Sequence, residues 1–196
     1  MDNQEIFSFY SLVFRQKYIR RWGLMRNSES ETLSEHAMET AVIAHALALI
    51  GNRLYGRHYD ENRVGMLALY HDVPEVYTGD LPTPVKYFDA STKESYTQIE
   101  NRAVETMLRK LPPELRDDYA PLFTEGNADE KKLIKAADKL CAYIKCVEEQ
   151  KCGNGEFASA AAATKRVLDG MDLPELGYFI EHFLPAFSLT IDEMQL

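Results

Sequence analysis

Leu67-Ala68-Leu69-Tyr70-His71-Asp72-Val73-Pro74-Glu75 is the stretch whose reading decides the fold. An apolar helical run ends here on a histidine and an aspartate side by side, with a glutamate three positions on. Charges this close to apolar surface are costly unless they are paired or hold a metal. Val64, Leu67, Ala68 and His71 share one face by helical spacing, so His71 points inward from a helix over about residues 60–75, with Asp60 as its candidate cap. Pro74 cannot donate a backbone hydrogen bond and clashes with the carbonyl four residues back. A kink is therefore predicted just past the His-Asp pair, with open space beside those side chains.

A second inward histidine lies upstream. Thr32-x-x-Glu35 fits a capping box and opens a helix to about residue 54. Thr40, Ile43, Leu47 and Ile50 form its stripe, and His36 sits on that stripe one turn before Thr40. His45 falls on the opposite face at about 100° per residue, and His58 sits in a polar turn, so neither joins the candidates. Downstream, Asn127-x-x-Glu130 caps a long helix to about residue 152. Ile134, Ala137, Cys141 and Ile144 mark its buried side, and Asp138 lies against it.

Every other periodic stretch also reads as helix. Residues 4–19 carry Ile6, Phe7, Phe9, Tyr10, Leu12, Val13 and Phe14, a broad apolar face expected to be buried on more than one side. Gly23, after Arg20-Arg21-Trp22, reads as a helix stop. Residues 77–84, with two prolines and a glycine, read as a loop whose polar groups are Asp80 and Thr83. Ser91-x-x-Glu94 opens a helix to about residue 111, Pro112-Pro113 stops it, and a short helix over about 114–120 follows. An alanine-rich helix spans about 156–168. A last one, about 174–187, bears Tyr178, Phe179, Phe183 and Phe187 as core or as part of a subunit interface. No alternating strand pattern is found. The expectation is an all-α fold, one domain over residues 1–196 with about seven to eight helices.

At 196 residues, the chain is long enough for a sizeable core. No apolar run approaches the roughly 20 residues that cross a bilayer. The acidic N-terminus lacks the basic start of a secretory signal. Cys141, Cys146 and Cys152 form no C-x-x-C and read as free thiols in a reducing cytosol. The net charge of −9 argues against nucleic-acid polymers and anionic membranes as partners. Small phosphates remain possible partners, because a local cation reverses the potential inside a pocket.

His36, His71, Asp72 and Asp138 thus share one property: each is polar and each sits on or beside an apolar stripe. Two imidazoles and two carboxylates can surround one divalent ion and leave positions for water and substrate. Mixed nitrogen and oxygen ligands suit manganese, cobalt, iron or zinc. A histidine, a His-Asp pair and a distant aspartate on an all-helical chain resemble the pattern of HD-domain metal-dependent phosphohydrolases. Further segments sharpen the likeness: Arg21-Trp22-x-Leu24-Met25-Arg26-Asn27, Ser34-Glu35-His36, Tyr70-His71-Asp72, Glu75-Val76, Thr78 through Phe88, and Ala137-Asp138-x-Leu140-Cys141-Ala142-Tyr143. Together they resemble the bacterial 5'-deoxynucleotidases of the YfbR type. The likeness covers almost the whole chain and thins after about residue 155.

The resemblance implies a single HD domain that hydrolyses deoxyribonucleoside 5'-monophosphates to deoxynucleoside and phosphate, using a water activated by one divalent ion such as cobalt, manganese or zinc. The implied metal ligands are His36, His71, Asp72 and Asp138. Glu75 matches the catalytic carboxylate, and Arg21 and Trp22 match residues that orient phosphate and nucleotide. The implied substrate contacts are Arg21, Trp22, His36, Asp72, Asp80, Leu81, Pro82 and Thr83. Pro74 stands where a well-known relative has a small polar residue, so the backbone path to Glu75 is a point of departure. A cytoplasmic homodimer is also implied. These roles agree with the residue types: Glu75 suits a base or water-positioning group, and Arg21 can hold phosphate oxygens bidentately. Asp80 has two roles open to it, protonating the leaving 5'-oxygen or hydrogen-bonding the sugar. The rival readings are an HD hydrolase acting on another nucleotide (a triphosphate, a cyclic or a guanosine-based signal) and an all-α binding module with structural histidines.

Overall fold

Caps and prolines set where the helices begin and end. The computed structural model describes residues 6–86, 88–124 and 126–194, with the side chain of Thr83 outside that description. Helix α1, Phe9–Val13, continues as a 3-10 turn, Phe14–Tyr18. Helix α2, Leu33–Leu54, starts at the expected capping box, Glu35 taking the Thr32 N–H at 2.7 Å. Helix α3 spans Glu61–Tyr70 behind Asp60, and α4 is one turn, Glu75–Thr78. Then come α5 (Thr83–Lys86), α6 (Ala90–Leu108), α7 (Pro113–Tyr119), α8 (Pro121–Thr124), α9 (Ala128–Lys151), α10 (Ala158–Asp169) and α11 (Pro174–His182). Among the described residues there is no strand, only an isolated bridge between Arg20 and Thr32. The fold is all-α as expected, and α2, α3, α6, α7, α9, α10 and α11 are its substantial helices.

Several boundaries differ from the sequence reading. The 60–75 helix ends at Tyr70, and Pro74 does more than kink it. With no N–H at residue 74, the chain continues by tighter bonds, Val73 N–H to Tyr70 C=O (3.2 Å) and Glu75 N–H to Asp72 C=O (3.0 Å), before α4 begins. Asp89, not Ser91, caps α6, its Oδ1 accepting from Thr92 N–H at 2.7 Å, because a charged acceptor is favoured at a helix N-terminus. Gly23 stops no helix: the first helical segment already ends at Tyr18, and Ile19 is extended. Among the apolar residues of the N-terminal segment Phe9 alone is fully buried, while Phe14 is 70% and Tyr18 68% exposed; periodicity shows that a face is apolar, not what covers it. The expected start at residue 4 lies outside the described residues. The last helix ends at His182, and Leu184–Ser188 forms a 3-10 turn.

The main core joins Ile43, Ala44 and Leu47 of α2 to Val64 and Ala68 of α3 and to Leu133, Ala137 and Leu140 of α9, with Leu176 and Phe179 of α11 closing it. A second cluster gathers Phe9, Val73, Met107 and Leu111, and a third gathers Cys146, Phe157 and Ala161, with Trp22 packed against it. Cys141, Cys146 and Cys152 are free thiols. No described helix is long and apolar enough to cross a membrane.

One buried carboxylate fastens the loop before α2 to α9. Glu149 accepts from the Ser28 N–H (2.8 Å), the Glu29 N–H (3.2 Å), Asn154 Nδ2 (2.8 Å) and the Lys145 ammonium. Burial alone would push its carboxyl up, but these donors hold it well below the ordinary value. Glu149→Ala is expected to cost about 3 kcal/mol in denaturant unfolding, because it leaves the buried Lys145 ammonium with the Glu29 carbonyl but without its ion-pair partner. The folded pKa is depressed, so Glu149's contribution is fully present above about pH 4.3, the unfolded value. It is lost as pH falls through the folded pKa, and the alanine variant lacks that part of the acid dependence.

Candidate metal centre

Three of the four expected ligands, His36, His71 and Asp138, converge from α2, the turn after α3, and α9, and Asp72 stands beside the two histidines. His36, fully buried on α2, points Nε2 at Asp138 Oδ1 (3.3 Å) and Asp72 Oδ2 (3.6 Å). His71 Nε2 lies 3.0 Å from the same Asp72 oxygen. Donor atoms of His36, His71 and Asp138 all lie within 4.8 Å of one another. Two ligands each about 2.1 Å from one ion are separated by roughly 3.0–3.5 Å, a range that the His36–Asp138, His36–Asp72 and His71–Asp72 separations of 3.3, 3.6 and 3.0 Å approach. His71 Nδ1 bonds the Ala68 carbonyl at 2.6 Å, which leaves Nε2 to face the cluster. Nε2 is buried against Asp72 Oδ2 without a well-directed hydrogen bond among the described residues. Asp138 turns its other oxygen to Lys139 Nζ, 3.0 Å away.

The charges around these atoms also call for a cation. Glu31, Asp72, Glu75, Asp80 and Asp138 gather about one guanidinium, Arg21. Burial disfavours charge on Asp72, yet His71 beside it pulls its carboxyl down to about 2. Burial likewise opposes charge on His71, but Asp72 and Asp138 hold it up to about 9. A metal must displace that proton, so its binding strengthens as pH rises. Asp138 is held well below its usual value against burial, chiefly by His36 and Lys139. Glu75 goes the other way: burial, then repulsion by Asp72 and Asp80, pushes it up to about 9. Its Oε2 is buried with no hydrogen-bond partner among the described residues. Glu75 opens α4 rather than ending α3, yet the tight turn keeps it beside the cluster.

Arg21 and Trp22 reach the cluster from the segment before α2. Arg21 Nη1 lies 3.9 Å from Asp72 Oδ2. Trp22 has φ 58°, a left-handed conformation that costs a bulky residue on the order of 1–3 kcal/mol and gathers at functional sites. Burial raises the Asp80 carboxyl, opposed by Arg21 and by the Trp22 backbone N–H, so Asp80 faces this arm. Gly79, at φ 72° and ψ 167°, makes the turn that delivers Asp80. That conformation is essentially reserved for glycine. Gly79→Ala is expected to lose about 1–3 kcal/mol of stability and to raise KM by displacing Asp80, read from thermal melts and initial rates. Leu81 and Pro82 are half-buried and lead into α5, and the side chain of Thr83 lies outside the described residues. Lys86, ion-paired to Glu100 at 2.8 Å and stacked over Tyr96, braces this loop from α6, as does the Thr78–Tyr96 hydroxyl contact of 3.1 Å.

Glu31 is the site residue that sequence reasoning missed. It is buried, and it touches Arg21, Trp22 and His36 together. Its surroundings, Asn27-Ser28-Glu29-Ser30, look like a solvated loop, and its only local signal is its place just before the Thr32 cap.

An all-α fold with a His-His-Asp-Asp cluster is the HD-domain architecture, and solved structures agree. An HD-domain phosphohydrolase from Listeria innocua superposes with TM-score 0.81 at 20% identity, over 96% of this chain and 92% of that one. The cyanophage S-2L HD phosphohydrolase DatZ, solved with dA and one catalytic Zn2+ ion, superposes with TM-score 0.66 at 19% identity, over 89% of this chain and 95% of that one. Residues 8–187 match the family described as 5'-deoxynucleotidase YfbR-like, and the chain belongs to that family. The 5'-deoxynucleotidases YfbR of Shigella flexneri and Escherichia coli are each 46% identical to it over 188 residues, 95% of this chain and 94% of theirs.

Proposed function

We propose that this protein is a metal-dependent 5'-deoxynucleotidase, a phosphoric monoester hydrolase acting on deoxyribonucleoside 5'-monophosphates. The observation that carries the reading is a guanidinium at the rim of a metal-ligand cluster: Arg21 stands 3.9 Å from Asp72, which itself faces both histidines. The curated relatives are 5'-deoxynucleotidases, which supports the same reaction here. His36, His71, Asp72 and Asp138 would hold one divalent ion, which supplies Lewis-acid polarisation of the phosphoryl group and an acidified water. Arg21 holds phosphate oxygens and offsets charge developing on them. Glu75 positions or deprotonates the attacking water. Trp22, with Leu81, Pro82 and Thr83, borders the deoxynucleoside, while Asp80 meets the sugar or the leaving 5'-oxygen. Residues 1–196 act as one catalytic domain, in a cytoplasmic homodimer that covers apolar surface such as Phe14 and Tyr18.

A phosphate-release panel tests the reading. Metal-stripped protein is given Mn2+, Co2+ or Zn2+ in turn, with deoxy- and ribonucleoside 5'-monophosphates. Inorganic phosphate from dAMP and dTMP, well above that from AMP, is expected. Release of triphosphate from dATP, or opening of a cyclic nucleotide, with no phosphate from dAMP would transfer the protein to the rival HD chemistry.

A further inference from the structure

We propose that Glu31 is a positioning residue that links the metal ligand His36 to the substrate arm Arg21-Trp22 through one carboxylate. Its substrate arm rests on the nucleotidase reading above; its metal arm rests on geometry alone. Oε1 lies 3.4 Å from His36 Nδ1 and 3.2 Å from Arg21 Nε, while Oε2 accepts the Trp22 indole N–H at 2.6 Å. His36 turns its other nitrogen to Asp138 and Asp72. Glu31 therefore stands across the imidazole from the metal ligands, where a carboxylate fixes the tautomer, Nδ1–H outward and the Nε2 lone pair toward the ion. Thr40 Oγ1, 3.4–3.5 Å from the ring nitrogens, is His36's other polar neighbour outside the cluster and carries no charge that could substitute.

The same carboxylate holds the strained arm in place. The indole of Trp22 is tied to Glu31 at one edge and tilts onto Phe157, with ring centroids 5.3 Å apart. Those two contacts, together with the Met25 N–H and Asn27 Nδ2 bonds to the Trp22 carbonyl and the Arg21 N–H bond to the Glu31 carbonyl, hold the left-handed backbone at Trp22 with Arg21 beside Asp72. Glutamine in place of Glu31 lacks the charge that faces Arg21 and His36 in these ion-pair contacts. If its oxygen keeps the indole, its NH2 faces Arg21 Nε and His36 Nδ1, donor against donor.

Trp22 is the chain's single tryptophan, so intrinsic emission reports on this contact directly. Zn2+ is titrated into metal-stripped protein by calorimetry and by Trp22 emission. In the wild type the emission is expected to shift and saturate with the calorimetric isotherm. Glu31→Gln is expected to bind Zn2+ about 10–100-fold more weakly, with a raised KM for dAMP and an altered starting emission. Glu29→Gln, whose side chain lies outside this network, should match the wild type. Wild-type Zn2+ affinity and emission response in Glu31→Gln would overturn the proposal. Should that variant fail to fold, emission in the wild type that ignores saturating Zn2+ would overturn it equally. If Glu31→Gln weakens Zn2+ binding but the wild type releases no phosphate from dAMP, the metal arm stands and the nucleotidase reading falls.

Discussion

Asp138→Ala is expected to lose both metal content and phosphate release, with kcat/KM for dAMP down at least ~10³-fold, since a Lewis-acid ion contributes several kcal/mol and each ~1.4 kcal/mol is tenfold. Asp138 is the one candidate ligand on α9, so its removal leaves the cluster held from one side. The oxygen lost is the one 3.3 Å from His36 Nε2, and no other described carboxylate of α9 is placed to replace it. The fold should survive. The side chain is about a quarter exposed, and the buried face of α9, through Leu133, Ala137, Leu140 and Ile144, is untouched. Lys139 loses a partner but is a third exposed and can be solvated. Elemental analysis of protein purified without chelator, circular dichroism and a phosphate assay with added Mn2+ or Co2+ separate these effects. Turnover at the wild-type rate in the variant would remove the metal from the mechanism.

The candidate ligands were legible because each announces itself locally. His36 follows a capping box that fixes its helical register, and His71 shares a face with Val64, Leu67 and Ala68, all buried in the structure. Asp138 is marked in the same way by Ala137 and Cys141. Glu31 and Glu149 were not legible, because what makes them important comes from elsewhere in the chain. Glu31 looks solvated until Trp22 turns back onto it, and Glu149 looks like one of several helix-end acids until Ser28, Glu29 and Asn154 meet it. Pro74 was half legible. Its missing N–H predicts a break, but whether a helix bends or splits depends on the packing of Val73 into the second core cluster. The exposure of Phe14 and Tyr18 could not be read at all, since an apolar pattern is the same whether its cover is the chain's own core or another surface.

Glu75→Gln is expected to separate chemistry from metal binding. It should keep the ion, because Glu75 is not one of the four proposed ligands, yet lose about 10²–10⁴-fold in kcat, the range for a general base. A second effect has the opposite sign. In the metal-free protein, burial and the charges of Asp72 and Asp80 hold Glu75 protonated up to about pH 9, against about 4.3 when unfolded. The folded state then binds more protons than the unfolded one between these values, so this group makes metal-free stability fall as pH rises across that window. Glutamine mimics the protonated acid and removes the penalty. Metal-free Glu75→Gln should therefore melt above metal-free wild type at pH 8, by about 2–4 °C for each kcal/mol relieved in a chain of this length, and match it near pH 4. An inactive enzyme that is also more stable without metal marks Glu75 as a carboxylate held in an unfavourable place for its chemistry. A variant that loses activity together with its metal, or melts lower at pH 8, would assign Glu75 to the framework of the site instead.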